Sequence, residues 1–232
     1  MIEIIPAILT NNPEELREMV DQLNDVILPN GVPLKRIQID INDGHFLNNK
    51  TIDPGILVDI ETGLELDFHL MTKEPIDWVE KCVRGGADRI IGQIETMQDQ
   101  FAFIGKVQEV GAEVGLALDI DTEIERIDEM IIGSLDVILL MSYPAGAGGQ
   151  KFNEKVLDKI RFLNELRMKA SGTEGLRPGG NSAHFKICVD GGITTDNIKS
   201  VKMIGADEVA VGKRLFAGDI EANLEKYLKN AY

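Results

Sequence analysis

Three stretches of this chain repeat one pattern, and that pattern limits the folds open to it. Gly86-Ala87-Asp88-Arg89-Ile90-Ile91, Gly111-Ala112-Glu113-Val114-Gly115-Leu116 and Gly205-Ala206-Asp207-Glu208-Val209-Ala210 each follow a helix-like amphipathic run and lead into an apolar one. Glycine can take the left-handed conformation that ends a helix, and the apolar run then reads as a buried strand. The first two glycines lie about 25 residues apart and the first and third about 119, near one and four βα units of ~30 residues. A chain of 232 residues divides into eight such units of about 29.

Eight strands are predicted: Ile2–Leu9, Arg36–Ile41, Leu66–Leu70, Arg89–Gln93, Glu113–Leu118, Asp136–Met141, Phe185–Asp190 and Glu208–Val211. Most are continuous apolar runs, as expected where helices cover a parallel sheet. Pro13-Glu14-Glu15 opens a helix with proline in the first turn and acids at its positive end. Helices are also expected over Pro75–Arg84 and Glu154–Met168. No linker or charge block divides the chain, so residues 1–232 are read as one (β/α)8 TIM-barrel domain. Residues 169–183, rich in glycine, are expected to be an irregular surface-loop insertion.

Charge excludes some functions. The formal net charge is −15, which argues against nucleic acid, since a polyanion site needs clustered Lys and Arg. No apolar run approaches the ~20 residues that span a bilayer. The N-terminus reads as a first strand, not a signal peptide. Cys82 and Cys188 are too few for a disulfide framework and read as buried small hydrophobes, fitting a reducing, cytoplasmic location.

In a barrel of this type chemistry sits at the carboxyl ends of the strands. Side chains alternate across a strand, so if Ile39 and Ile41 face the helices, Gln38 and Asp40 face the barrel interior. His69 and Met71 share a face at the third strand end, and Asp190 points inward at the seventh, beside Gly191-Gly192. Inward carboxylates are costly unless paired, so two of them with a histidine imply a polar site. Glycine-rich turns follow the last three strands: Gly146-Ala147-Gly148-Gly149-Gln150, Gly191-Gly192 and Gly212-Lys213-Arg214. Such turns offer backbone N–H groups to a phosphate. Lys213 is read either as adding charge there or as giving only its N–H. His45 is expected to order its loop, and His184 to be solvated.

These motifs resemble the ribulose-phosphate 3-epimerase family. The resemblance is carried by Asp40-Ile41-Asn42-Asp43-Gly44-His45-Phe46, His69-Leu70-Met71, Met141 with Gly146 through Phe152, and Val189-Asp190-Gly191-Gly192-Ile193. Ile5-Pro6-Ala7-Ile8-Leu9 and Val211-Gly212-Lys213-Arg214-Leu215-Phe216 extend it to both ends. It implies a (β/α)8 barrel that inverts C3 of a ketose phosphate, ribulose 5-phosphate or a six-carbon relative. Asp40 and Asp190 match the family's acid/base pair, and Met71 and Met141 match methionines lining its pocket. The family's metal site has two histidines and two aspartates. Here Asp40, His69 and Asp190 match three of these ligands, and Gln38 stands at the position of the first histidine.

The resemblance thus implies a divalent cation (zinc, manganese, iron or magnesium), and a neutral amide oxygen at Gln38 favours the harder ions over zinc. Without a cation, Gln38 would hydrogen-bond Asp40, and one of the two carboxyl groups should hold a proton near neutral pH. Ala7, Asn42, Gln93-Ile94-Glu95, Ala145, Ala147 and Lys213 also depart from the family's pattern. The expected partner is a phosphorylated ketose, with no nucleic acid and no membrane, and a homo-oligomer is expected. The alternative is a catalytically impaired sugar-phosphate-binding homologue. A decarboxylase of the same fold finds no Asp-x-Lys pair at a strand end to support it.

Overall fold

The computed structural model describes residues 2–29, 31–46, 48–146, 148–172 and 184–232. Its strands are β1 (Glu3–Ile8), β2 (Arg36–Asn42), β3 (Glu65–Met71), β4 (Ala87–Gln93), β5 (Glu113–Leu118), β6 (Val137–Met141), β7 (Lys186–Asp190) and β8 (Glu208–Val211). All pair in parallel with their sequence neighbours, and β8 closes on β1, forming an eight-stranded barrel. The α-helices among the described residues are α1 (Pro13–Asn24), α2 (Val79–Arg84), α3 (Gln100–Glu109), α4 (Lys155–Gly172), α5 (Ile198–Ile204) and α6 (Ile220–Asn230). After β2 and β5 the connections carry only 3-10 turns, at Pro54–Asp59, Ile124–Arg126 and Ile132–Ser134.

The repeat glycines do what the pattern implied. Gly86, Gly111 and Gly205 have φ of 83°, 78° and 123° and lie between α2, α3 or α5 and the following strand. Helix α1 starts on the Asn12 side chain, which accepts the Glu14 N–H at 2.9 Å, with Pro13 in its first turn. One expectation needs correcting. The irregular stretch was placed from residue 169, yet α4 runs on through Gly172, because Lys169 and its neighbours extend an already formed helix. Residues 173–183 lie outside the described residues.

Alternation along the strands makes two cores. Ile37, Ile39, Ile41, Phe68, Leu70, Val114, Leu116 and Val189 pack outward beneath the helices. Ala7, Met71, Ile91, Leu139, Met141, Cys188 and Ala210 fill the interior with a second cluster. Below it lies a charged floor. Arg89 is only 1% exposed. Its Nε donates to Asp67 Oδ2 at 2.9 Å, and its terminal nitrogens donate to Glu208 at 3.1 and 2.8 Å. Arg36 reaches the other oxygen of Asp67, and Lys186 reaches Glu208. These ion pairs tie β2, β3, β4, β7 and β8 together at the amino ends of the strands, leaving the carboxyl ends for the site.

Candidate active site

Asp40, His69 and Asp190 lie toward the carboxyl ends of strands β2, β3 and β7 on their inward faces, and all three are buried. They meet at the bottom of a cavity of about 500 Å3. Gln38, fully buried one inward position below Asp40, joins them: its Nε2 donates to Asp40 Oδ1 at 2.8 Å and to Asp190 Oδ2 at 2.7 Å. His69 Nδ1 stands 3.2 Å from Asp40 Oδ1 and 3.8 Å from Asp190 Oδ2. Its Nε2 lies 3.3 Å from Gln93 Oε1, at the end of β4.

The electrostatics follow from burial and from two acids in one place. Burial, reinforced by the neighbouring Asp40 charge, pushes the Asp190 carboxyl up to about 7. Burial alone would lower the His69 imidazole, but the hydrogen bond and charge of Asp40, with the charge of Asp190, outweigh it and hold it above its ordinary value. One ligand atom from each of Asp40, His69 and Asp190 lies within 4.8 Å of the others, a group that can hold a metal ion. Gln38 presents its amide nitrogen, not its oxygen, to this group, and its Oε1 is buried without a hydrogen-bond partner.

Met71, Met141, Gly146, Gly148, Gly149, Gly191, Gly192, Gly212 and Lys213 all line the same cavity. Only glycine fits at 191 and 192. Both have positive φ, and a Cβ would come within 2.6 Å of the Tyr143 ring at 191 and 2.5 Å of the Phe152 backbone nitrogen at 192. Lys213 is exposed, yet its Cε comes within 4.0 Å of where a Cβ on Gly148 would sit, so the side chain bends across the glycine turns.

Sequence reasoning missed Tyr143, and it named Gln93 only as a departure from the family pattern. Tyr143 lines the cavity, packs on Gly191, and presents its hydroxyl to the Gly149 N–H. It stands two residues beyond Met141, so the alternation that located the other inward residues could have found it. Asn42, one of the departures from the family pattern, donates to Asn49 at 2.7 Å, and Asn49 donates to the Gly146 carbonyl at 2.9 Å, tying the β2 loop to the β6 turn. His45 is exposed, and its backbone N–H is held by Asp43 at 2.8 Å; His184 is exposed ahead of β7. Cys82 and Cys188 are buried free thiols.

A parallel eight-stranded barrel with carboxylates, an imidazole and glycine turns at the carboxyl ends of its strands defines a TIM-barrel enzyme. Solved structures agree on the fold. KGPDC from Streptococcus mutans superposes with a TM-score of 0.68 at 12% identity, covering 100% of this chain and 97% of the other. A 3-hexulose-6-phosphate synthase from Salmonella typhimurium gives 0.61 at 14%, covering 99% and 98%.

Residues 3–216 match the Ribulose-phosphate 3 epimerase family, to which the chain belongs, and it is accordingly a carbohydrate epimerase of the isomerase class. The ribulose-phosphate 3-epimerase of Chlamydia muridarum is 36% identical over 83% of this chain and 81% of its own. That of Bacillus subtilis is 30% identical over 93% of both. No helix among the described residues is long and apolar enough to cross a membrane.

Proposed function

We propose that this protein is a ketose-phosphate 3-epimerase inverting C3 of ribulose 5-phosphate or a related pentulose or hexulose phosphate, with Asp40 and Asp190 transferring the protons. The observation that carries this reading is the convergence of two carboxyl groups, from β2 and β7, on the single amide of Gln38 at the foot of the cavity. Inversion takes a proton from one face of a carbon and returns one to the other, so an acid/base group is needed on each side. The C3 proton becomes removable because the adjacent ketone accepts charge as an enediolate.

Asp40 and Asp190 exchange the roles of base and acid with the direction of reaction. Met71 and Met141 bound the sugar with apolar surface that keeps water from the carbanionic carbon. The N–H groups of the Gly146–Gly149, Gly191–Gly192 and Gly212 turns receive the phosphate, with the Lys213 ammonium above them. Local donors matter because the chain's overall charge of −15 repels an anion at long range.

The residues present fit a divalent cation: two carboxylates and an imidazole converge, and the unpartnered Gln38 oxygen can be turned toward them. Bound there, a cation supplies positive charge for the enediolate oxygens. The oxygen-rich set favours manganese, magnesium or iron(II), while His69 still admits zinc.

The test is solvent-deuterium incorporation at C3 of ribulose 5-phosphate and of hexulose 6-phosphates. Incorporation into one of them is expected. Saturable sugar-phosphate binding with no exchange for any of them would leave the non-catalytic reading, for which Gln38, Ala7 and Asn42 speak.

A further inference from the structure

We infer that Tyr143 is a specificity-determining residue, whose ring sets the length of carbon chain that fits between the Asp40–Asp190 pair and the glycine turns, so that a pentulose 5-phosphate is favoured over a hexulose 6-phosphate. The inference rests on the proposed ketose-phosphate reading and deepens it, by naming the part of the site that chooses between the two sugar lengths.

The place of Tyr143 follows from the pairing of β6 with β7. Met141 is level with Asp190 in the register of the two strands, and both face the interior. Met141 therefore flanks the carbon that the carboxyl groups would handle. Tyr143 takes the next inward position, two residues on, and so stands between that layer and the turns at Gly148-Gly149 and Gly191-Gly192. Its hydroxyl accepts the Gly149 N–H. Its ring lies where a Cβ on Gly191 would come within 2.6 Å. One side chain thus reaches from the layer of the acid/base pair to two of the turns proposed to receive the phosphate.

The ring is held in that place. Tyr143 is only 9% exposed. Beside it, Ser142 donates its backbone N–H to the Asp190 carbonyl at 2.8 Å and its hydroxyl to the Gly191 carbonyl at 2.6 Å, which binds the end of β6 to the turn after β7. A ketose phosphate reacting at C3 must set that carbon between the carboxyl groups while its phosphate lies on the turns. Both ends are then fixed by backbone. A pentulose 5-phosphate has C4 and C5 to cross the gap past Tyr143, whereas a hexulose 6-phosphate has C4, C5 and C6. The added carbon and its hydroxyl need room at this wall. Met71 and Met141 are flexible and can adapt, but a tyrosine ring is a rigid plate. Against a rigid wall, one carbon more or less typically changes selection by about 10–200-fold.

The experiment uses the full-length protein and two unreactive polyols, ribitol 5-phosphate and allitol 6-phosphate, whose binding is measured by calorimetry. Wild type should bind the five-carbon polyol at least about tenfold more tightly. Tyr143→Val, and the bulkier Tyr143→Leu, should reduce that preference by about tenfold, chiefly by tightening the six-carbon polyol. Tyr143→Phe keeps the ring and should keep the preference. A merely structural role would weaken both polyols together and leave their ratio alone. Equal binding of the two by wild type, binding of neither, or an unchanged ratio in whichever of the valine and leucine variants folds would overturn the inference. The polyols have no ketone and are not turned over. A ratio that moves as expected while C3 exchange is absent would therefore fault the epimerase reading alone, and exchange with an unmoved ratio would fault the inference alone.

Discussion

Gln38 and Asp190, 152 residues apart in the chain, are joined across the barrel mouth by a 2.7 Å hydrogen bond. The same amide nitrogen holds Asp40 at 2.8 Å, so one neutral side chain fixes the spacing of both acidic groups. Hydrogen bonds to charged groups contribute about 1.5–3 kcal/mol each. Gln38→Leu should therefore fold but lower C3 exchange roughly 10–100-fold, mostly in kcat, because misplaced proton-transfer groups weaken the transition state. Gln38→His should raise zinc affinity at least about tenfold by substituting imidazole nitrogen for an amide. Equal zinc affinity in wild type and Gln38→His, measured by competition with a chromogenic chelator, would remove that role.

Loss of one carboxyl group should separate exchange from inversion. Asp40→Asn and Asp190→Asn are each expected to lower net epimerisation by about 10²–10⁴-fold. The group left behind still faces one side of C3. Each variant should therefore wash deuterium into one epimer faster than it forms the other, with opposite epimers preferred by the two variants. If both variants show the same epimer preference, the aspartates do not stand on opposite faces.

Lys213 places a positive charge beside the glycine turns proposed to receive the phosphate. Lys213→Ala should raise KM and weaken inhibition by inorganic phosphate, each by about tenfold, with kcat little altered. Unchanged phosphate inhibition would restrict the residue to its backbone N–H.

Dialysis against zinc or manganese should leave close to one ion per chain by elemental analysis, and chelator should then reduce exchange. A stoichiometry near zero, with exchange unaffected by chelator, would instead establish that the Gln38 bridge works without an ion.

The charged floor gives a stability prediction. Burial pushes Asp67 up to about 6 despite its arginine partners, while Arg89 and Lys186 outweigh burial at Glu208 and hold it low. Arg89→Met leaves both carboxyl groups buried with less compensation and should cost about 3–5 kcal/mol at neutral pH. It also moves both folded-state values upward. Groups raised in the folded state bind more protons folded than unfolded, so the variant regains stability as pH falls. The Tm gap between wild type and variant should narrow from pH 8 to pH 5. A gap that is constant or widens would refute the assignment of the loss to unpaired carboxylates.

Much of this molecule was legible in the order of its residues. Gly86, Gly111 and Gly205 marked helix ends because left-handed backbone is a local requirement, met by the residue itself. Gln38, Asp40, His69 and Asp190 could be turned inward on paper because strand periodicity is two, and one neighbour facing the helices fixes the rest. The family motifs supplied the pairing of Asp40 with Asp190. Local pattern also has limits: it ends α4 at Met168, whereas the helix runs four residues further, to Gly172, the first glycine of the stretch.

What the chain could not show by itself was which groups touch. Gln38 read as a substituted ligand, and only the closed barrel revealed its nitrogen against both carboxylates and its oxygen left unpartnered. Gln93 and Tyr143 entered the site the same way, through neighbours on other strands. The physical reason is range. Turn and strand preferences act over a few residues, whereas hydrogen bonds among buried side chains depend on strand stagger and barrel closure, which bring β2 beside β3 and set β7 within reach of both.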